Sequence, residues 1–372
     1  MNSIVYIGMD VHKNSYSLCA IDGATGEVLG ETKIASDVDL VQKFIQNALQ
    51  RSIDPDAGVL TGYEAGCLGY SLYWQLVDKG IACDILAPST MQKSPKAKRM
   101  KNDRLDAKNI ATNLSNGTYK KVYVPNDHDV EVKEYIRMIN DFKTSAKVVK
   151  QHINALLLRL GIHYSGKSRW TTAHMKWLRE LEFDSDTYRD ILDEYLSELD
   201  NLLSKIERQL YRLEEISQED TYQEKIGELR CFKGIDTTAA MTFHIEVSDF
   251  DRFPNAKAFA SYCGLIPGDD SSGQKNKRLG ITKQGNALIR KTLVECSRVL
   301  VRGAIGKKGK RLKSKQKGQD VKVIDYADRA VERLQKKYHR MVYRGVNTNI
   351  AITAIARELA CFIWGMETGH IQ

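Results

Sequence analysis

The chain has 372 residues, enough for two or three domains at roughly 150 residues each and for a substantial buried core. Hydrophobic residues make up 42% and charged residues 28%, with 26 glycines and only 6 prolines, which excludes collagen-like, low-complexity and disordered chains. No stretch approaches the ~18 uninterrupted apolar residues of a membrane span, and the opening Met-Asn-Ser-Ile-Val-Tyr lacks a basic segment leading into an apolar run, so a cytoplasmic, nucleoid-associated protein with no membrane partner is expected.

The seven cysteines lie at least 16 residues apart with no CxxC pair, which argues against structural zinc or a disulfide framework and for free, buried thiols. The net charge of +9 is unevenly spread. Residues 273–372 hold 23 Lys and Arg against 7 Asp and Glu, whereas residues 1–272 hold 33 against 40. The densest basic run, Gly306 to Gly318, has seven cations and no anion. It reads as a mobile loop that phosphates would order, although a solubilising loop or a site for acidic proteins also fits.

In chain order, apolar runs predict strands at Ile4–Met9, Tyr16–Ile21 and around Val28–Ile34, with hairpin chemistry in Asp22-Gly-Ala-Thr-Gly-Glu27. A helix near Val38–Gln50, a strand Val59–Tyr63, a helix near Leu68–Val77 and a strand Ala82–Leu86 follow. A three-strand meander and then helix-separated strands describe an α/β domain with a mixed sheet. Arg104–Asn116 and Val130–Leu160 read as helices. From Tyr188 the apolar positions Leu192, Tyr195, Leu199, Leu202, Ile206, Leu213 and Ile216 alternate four and three apart, with Gln209 in one seam place. That is a coiled-coil heptad pattern, read as a dimerising helix in preference to one helix of an intramolecular bundle. The rest is helical and basic, with helices at Thr237–Glu246, Ala256–Cys263, Lys283–Arg302, Asp320–Tyr343 and Asn349–Met366, and a glycine-rich stretch from Gly264 to Gly285 read as a long loop.

Two strands end in carboxylates, Asp10 in Ile-Gly-Met-Asp and Glu64 in Gly-Tyr-Glu-Ala. Asp103 and Asp106, three apart at the start of a predicted helix, share one helix face. Four converging carboxylates repel one another unless divalent cations neutralise them, and Mg²⁺ takes such oxygen ligands together with substrate phosphates. Two ions about 4 Å apart would stabilise both the attacking and the leaving oxygen of a phosphoryl transfer. Lys98, Arg99, Lys101 and Arg104 flank the Asp pair, as expected if a polyanion lies across it.

These residues resemble the transposases of insertion-sequence family 110 and the Piv-type DNA invertases. Asp10, Glu64, Asp103 and Asp106 stand where that family carries its Asp-Glu-Asp-Asp tetrad. Further matches are Gly264-Leu-Ile-Pro267, Ser272-Gly273 and Leu279-Gly-Ile-Thr-Lys-Gln-Gly-Asn286 leading into Ala-Leu-Ile-Arg290. Cys231-Phe-Lys-Gly-Ile-Asp-Thr-Thr-Ala-Ala240 is similar to the family's helix-hairpin-helix-like segment, with Asp236 in place of its second glycine.

The resemblance implies an α/β plus α architecture. It comprises a ribonuclease H-like (RuvC-like) domain at 1–160 with a mixed sheet and helices, a coiled-coil dimerisation region at 161–222, and a mostly helical serine transposase domain at 223–372. It implies a transposase or recombinase that uses Mg²⁺ or Mn²⁺ on the tetrad and Ser272 as nucleophile, through a phosphoserine intermediate; Ser271 is the neighbouring alternative. Its implied partners are donor and target DNA, a structured guide RNA and further copies of the chain, as a dimer or tetramer. Lys275, Lys277, Arg278, Lys283, Asn286 and Arg290 then become DNA or RNA contacts. A metal-dependent nuclease of the Holliday-junction-resolvase type, or a protein-only invertase, would use the same tetrad with Ser272 idle. A non-catalytic nucleic-acid-binding protein and an actin-like ATPase remain as weaker readings; no GxxxxGK[ST] loop supports the last.

Overall fold

The computed structural model describes residues 3–66, 68–88, 90–92, 102–272 and 275–371. The chain divides into two compact units, Met1–Val124 and Pro125–Gln372.

In the first unit, β1 (Ile4–Val11), β2 (Ser15–Asp22) and β3 (Val28–Ala35) form the expected antiparallel meander. The β2–β3 turn is held by the Asp22 carboxylate, which accepts from the N–H groups of Ala24 (2.8 Å) and Thr25 (3.3 Å) and from the Ser52 hydroxyl (2.7 Å). There follow α1 (Val38–Leu49), β4 (Gly58–Glu64), α2 (Ser71–Asp78), β5 (Ala82–Leu86) and α3 (Asp103–Asn116). The sheet order is β3-β2-β1-β4-β5, with β4 and β5 parallel to β1 and to each other.

The alternation of β1 sorts its residues between two layers. Val5, Ile7 and Met9 bury themselves with Val41 and Ile45 of α1 and Leu72 and Leu76 of α2. The opposite face takes α3, whose Ala107 and Ala111 meet Cys19 and Ile21, and whose Ile110 and Leu114 meet Leu86. Gly8 lies on that second face. A Cβ there would sit 2.2 Å from the backbone nitrogen of Ala111 and 2.3 Å from the carbonyl oxygen of Ala107. The helix backbone thus rests directly on the strand, which only glycine allows.

The second unit contains α4 (Asp127–Arg159), α5 (Thr172–Arg179), α6 (Asp186–Ile216), α7 (Gln223–Leu229), α8 (Thr237–Val247) and α9 (Ala256–Tyr262). It continues with β6 (Pro267–Ser272), β7 (Lys275–Ile281), α10 (Ala287–Leu300), α11 (Lys310–Gln316), α12 (Val321–Tyr343) and α13 (Thr348–Glu367). Helix α13 is long and apolar enough to cross a membrane, but its Ile352, Ile355, Leu359 and Ile363 are buried in the core of this unit. Of the cysteines, the six described are free; five are buried and Cys361 is partly so.

Four features of the packing go beyond what the sequence pattern showed. The heptad seam of α6 is already covered by α4 of the same chain: the seam residues Leu192, Leu199 and Leu202, with Leu196 beside them, are buried with Ala146, Ile153, Leu156 and Leu157. The polar seam residue Gln209 accepts a hydrogen bond from the Tyr135 hydroxyl on α4. A heptad stripe specifies a helical partner but not whether that partner belongs to the same chain. Second, α4, expected as the last helix of the first domain, packs on α6 and α8 in the second unit. Third, the stretch read as a long loop contains the β6–β7 hairpin, paired from Pro267–Ile281 to Ser272–Lys275. Its sequence lacks the apolar alternation by which a half-buried strand is recognised.

Fourth, the basic run is not a free loop. Residues 310–316 form α11, and Gln316, only 4% exposed, donates to the Cys231 carbonyl and to the Asp328 carboxylate, both at 3.0 Å. Lys315 donates to the Ile235 carbonyl at 2.6 Å and Lys308 pairs with Asp328. Gln316 and Lys315 find acceptors on buried residues and Lys308 a half-buried carboxylate, which charge density alone does not reveal.

Two stability outcomes follow. Gly8→Ala should destabilise the first unit by about 3 kcal/mol, because neither backbone can yield to a rotamer change; urea unfolding measures it. Leu199→Ala should likewise cost about 3 kcal/mol through a cavity between α4 and α6, read as a lowered Tm with no change in oligomeric state by light scattering.

Candidate active site

The strand register brings the first carboxylate into place. Asp10 lies beside Ser17 of β2, and Ser17 beside Lys33 of β3; the next row inward is Gly8, Cys19 and Glu31. Both rows are on the α3 face. Helix α3 starts above them, with Asn102 capping it by accepting from the Arg104 N–H at 3.0 Å. Its first turn is tied down twice: Lys33 donates to Asp103 at 2.9 Å, and Arg104 pairs with Glu31. Two acidic residues in that turn also suit the positive end of the helix dipole.

Asp10, His12 and Asp103 meet there, each offering a ligand atom within 4.8 Å of the others. His12 Nε2 is 3.2 Å from Asp10 Oδ2 and 3.8 Å from Asp103 Oδ1. Burial pushes the Asp10 carboxyl above its ordinary value; His12 opposes this, and the charges of Asp103 and Asp106 add to it. Asp103 is held below the usual carboxylate range by Lys33. The site therefore keeps a carboxylate that would gain from a cation next to one that already has one.

Glu64 ends β4 on the same edge. Met9 pairs with Tyr63 on the parallel neighbour, so Asp10 and Glu64 are each the next residue along adjacent strands, on one face. Glu64 is not in the 4.8 Å group. Asp106, one turn along α3 from Asp103, reaches Asp10 through its charge. All four tetrad positions thus lie at one end of the sheet, and His12 joins them. His12 was legible as the residue two places after Asp10, the same-face spacing of a strand. Lys33 and Glu31 show the same alternation in β3, but only the register reveals their partners.

A groove of about 550 Å³ lies beside this cluster, lined by Ser17, Lys33, Asp103 and Arg104 among others. Lys98, Arg99 and Lys101 fall outside the described residues. Arg104 is engaged with Glu31 while leaving most of its side chain exposed.

In the second unit, Ser271 and Ser272 end β6, opposite Asn276 and Lys275 of β7, with Lys277 and Arg278 further along the same strand. The hairpin is mounted on a glycine lock. Gly264 (φ +66°) and Gly285 (φ +73°) are both left-handed, and a Cβ on either would come within 2.0 Å of a backbone carbonyl oxygen, that of Gln284 or of Tyr262. Lys283 is also left-handed (φ +57°), and its N–H donates to the Gly264 carbonyl at 3.1 Å. Two residues expected to touch nucleic acid also hold this framework. Arg290 donates to the carbonyls of Cys263 (3.0 Å) and Gln284 (3.1 Å). Asn286 caps α10 through the N–H groups of Leu288 and Ile289 and donates to the buried Glu246 at 2.6 Å. Glu246 also accepts from Arg137 at 3.2 Å.

A basic surface that sequence reasoning did not single out lies on α12, where Arg329, Arg333, Lys336, Lys337 and Arg340 border a groove of about 730 Å³. Glu358 sits among them and accepts from Arg333 and Lys337.

A mixed five-stranded sheet carrying an acidic residue at the end of its first strand and another at the end of its fourth, with a helix of the same unit delivering two more, is the RuvC-like nuclease arrangement. The transposase model DEDD_Tnp_IS110 matches residues 7–162, and the model of the transposase IS116/IS110/IS902 family matches residues 227–311. The y4qE protein of Sinorhizobium fredii, which bears the name of a transposase, is 30% identical over 97% of this chain and 88% of its own length. The transposase for insertion sequence element IS1533 of Leptospira borgpetersenii is 26% identical over 92% of this chain and 97% of its own. That for IS1111A of Coxiella burnetii is 22% identical over 84% and 82%. The chain belongs to the IS110 family of transposases, and as such is an enzyme that cuts and rejoins DNA.

Asn286→Ala should cost about 2 kcal/mol, from the lost cap and from a buried Glu246 left with one partner fewer; thermal unfolding of the full chain measures it.

Proposed function

We propose that this transposase is an RNA-guided recombinase that moves its insertion sequence through a phosphoserine intermediate on Ser272, with Asp10, Glu64, Asp103 and Asp106 holding Mg²⁺ or Mn²⁺. The observation that carries the metal part is the meeting of Asp10, His12 and Asp103 at the sheet edge. The donor set fits a hard divalent cation: two carboxylates with two more at the same end, one of them partly buried among like charges and gaining from neutralisation. The imidazole of His12, if it ligates, would suit Mn²⁺ better than Mg²⁺, since nitrogen suits the softer ion. When bound, such ions would supply charge neutralisation at the scissile phosphate and activate the attacking oxygen.

The chain's own residues do the rest. Lys33 and Arg104 fix the first turn of α3 and so the position of Asp103. The Ser272 hydroxyl loses its proton and attacks phosphorus; the bond to one DNA oxygen breaks, and that oxygen leaves as a protonated hydroxyl end. In the joining step a hydroxyl end of another strand attacks the phosphoserine, which returns the serine hydroxyl. One phosphodiester is exchanged for another, so no nucleotide triphosphate is consumed. Lys275, Lys277, Arg278 and Lys283, on or next to the hairpin that carries Ser272, would bind the DNA backbone, and Lys98, Arg99 and Lys101 the strand near the tetrad. Several DNA strands must be held together during exchange, which supports a dimer or tetramer. With the heptad seam of α6 covered within the chain, its contacts are sought elsewhere. The protein would act in the cytoplasm on nucleoid DNA, and a structured guide RNA would choose donor and target.

Ser272→Ala should abolish recombination and the covalent protein–DNA adduct seen on denaturing gels, whereas Ser271→Ala should retain both; the reverse result moves the nucleophile by one residue. If Ser272→Ala and Ser271→Ala both recombine, the enzyme is a water-activating nuclease or an invertase of another mechanism. Asp10→Asn or Asp103→Asn should reduce strand cleavage by at least about a thousandfold, as expected for removal of a group that supports charge in the transition state, and EDTA should do the same to the parent. Full cleavage in EDTA would remove the metal. Expression with the flanking noncoding DNA should copurify one discrete RNA; cellular RNA alone, released by moderate salt, would leave only counterion-driven binding.

A further inference from the structure

The second unit has a groove of about 450 Å³ between α4, the segment that leads into α5, and α6. Lys143, Lys147 and Lys150 line it from α4, Trp170 from the segment, and Leu203 and Ile206 from α6. The lysines are four and three residues apart and so form one stripe along the helix. No carboxylate is among the residues that line the groove. Burial holds the Lys143 ammonium below its ordinary value, and the charges of Asp236 and Glu295 oppose this.

Trp170 is held there by construction. Its backbone is left-handed (φ +63°), a conformation rare for a bulky side chain. The Trp170 N–H donates to Nδ1 of His174 at 3.2 Å, and the indole stands edge-on to that imidazole, centroids 5.1 Å apart. His174 is buried, and burial lowers its pKa, so the neutral ring serves as acceptor. The Lys150 ammonium lies 5.3 Å from the indole centroid. Leu203 remains 40% exposed beside it.

We propose that this groove binds a single strand of nucleic acid, with its phosphates on Lys143, Lys147 and Lys150 and an unpaired base stacked on Trp170. A lysine stripe alone would suit any polyanion. The fixed indole with an open aliphatic floor adds what unpaired bases need and duplexes do not offer, since duplex bases are stacked inside the helix. An acidic protein segment would use the lysines without the indole. The strand is either an unpaired part of an RNA or a separated DNA strand; both present the same phosphates and bases. The inference stands apart from the guide-RNA and phosphoserine readings, because it concerns affinity and not recombination.

The test uses the full chain and fluorescence anisotropy with labelled oligouridine, oligothymidine and mixed-sequence duplex DNA. Lys147→Glu with Lys150→Glu should weaken binding of at least one single strand about tenfold or more and reduce its salt slope by about 1.4, two phosphates at ~0.7 each. Trp170→Ala should weaken it about tenfold, and Trp170→Phe much less, since base stacking survives on a phenyl ring. Duplex affinity should stay within about twofold. A larger loss on oligouridine assigns the strand to RNA, a larger loss on oligothymidine to DNA. Unchanged single-strand affinity in the double variant, or an equal loss on duplex DNA, overturns the proposal. Where the charge reversals lower the Tm, Lys147→Gln with Lys150→Gln is read by the same criteria.

Discussion

The candidate active site depends on how closely α3 lies on β1. The helix backbone touches the strand at Gly8, and that contact sets the height at which Asp103 and Asp106 stand over Asp10. Two cross-strand anchors then fix the first turn of the helix: Lys33 on Asp103 and Glu31 on Arg104. The carboxylates are thereby held near one another against their repulsion, by packing further down the helix and by cations at its end. A larger residue at position 8 would lift the whole acidic pair, although it is two residues from any ligand.

The same economy appears in the second unit, where conserving space and satisfying buried charge coincide. Gly264 and Gly285 let the end of α9 and the start of α10 share one backbone contact, and Asn286 and Arg290 close the polar groups around it. Glu246 is buried with Arg137 and Asn286 as partners, so the hairpin bearing Ser272 springs from a frame stabilised by hydrogen bonds to a charge. Residues that look like phosphate ligands by type, such as Arg290 and Asn286, here brace the backbone and a buried carboxylate.

Helix α6 illustrates the difference between a pattern and a partner. Its 3-4 apolar spacing demanded a complementary helix, and α4 supplies one at short range through the intervening α5 segment. An intramolecular partner is always present at high effective concentration, so a stripe that could pair with another chain is taken by its own. Beside that seam α4 carries the lysine stripe, and the segment leading into α5 brings Trp170 to it.

Much of this protein was legible in its sequence, because hydrophobic periodicity and turn chemistry are local. The five strands of the sheet, α3, α4, α6, α8, α9, α10, α12 and α13 fall within a few residues of where alternation and 3.6-residue spacing place them, and the motifs around Asp10, Glu64, Asp103 and Asp106 marked the acidic edge. What only the tertiary structure decided was every question of partner. Gly8 beneath Ala107, His12 beside Asp10, Lys33 on Asp103, Gln316 beneath Cys231 and Gln209 on Tyr135 join residues distant in the chain or facing across a register, and periodicity carries no information on which surfaces meet. Charge is the clearest case: Arg290 reads as a phosphate ligand by type, but hydrogen bonds to the Cys263 and Gln284 carbonyls make it a brace.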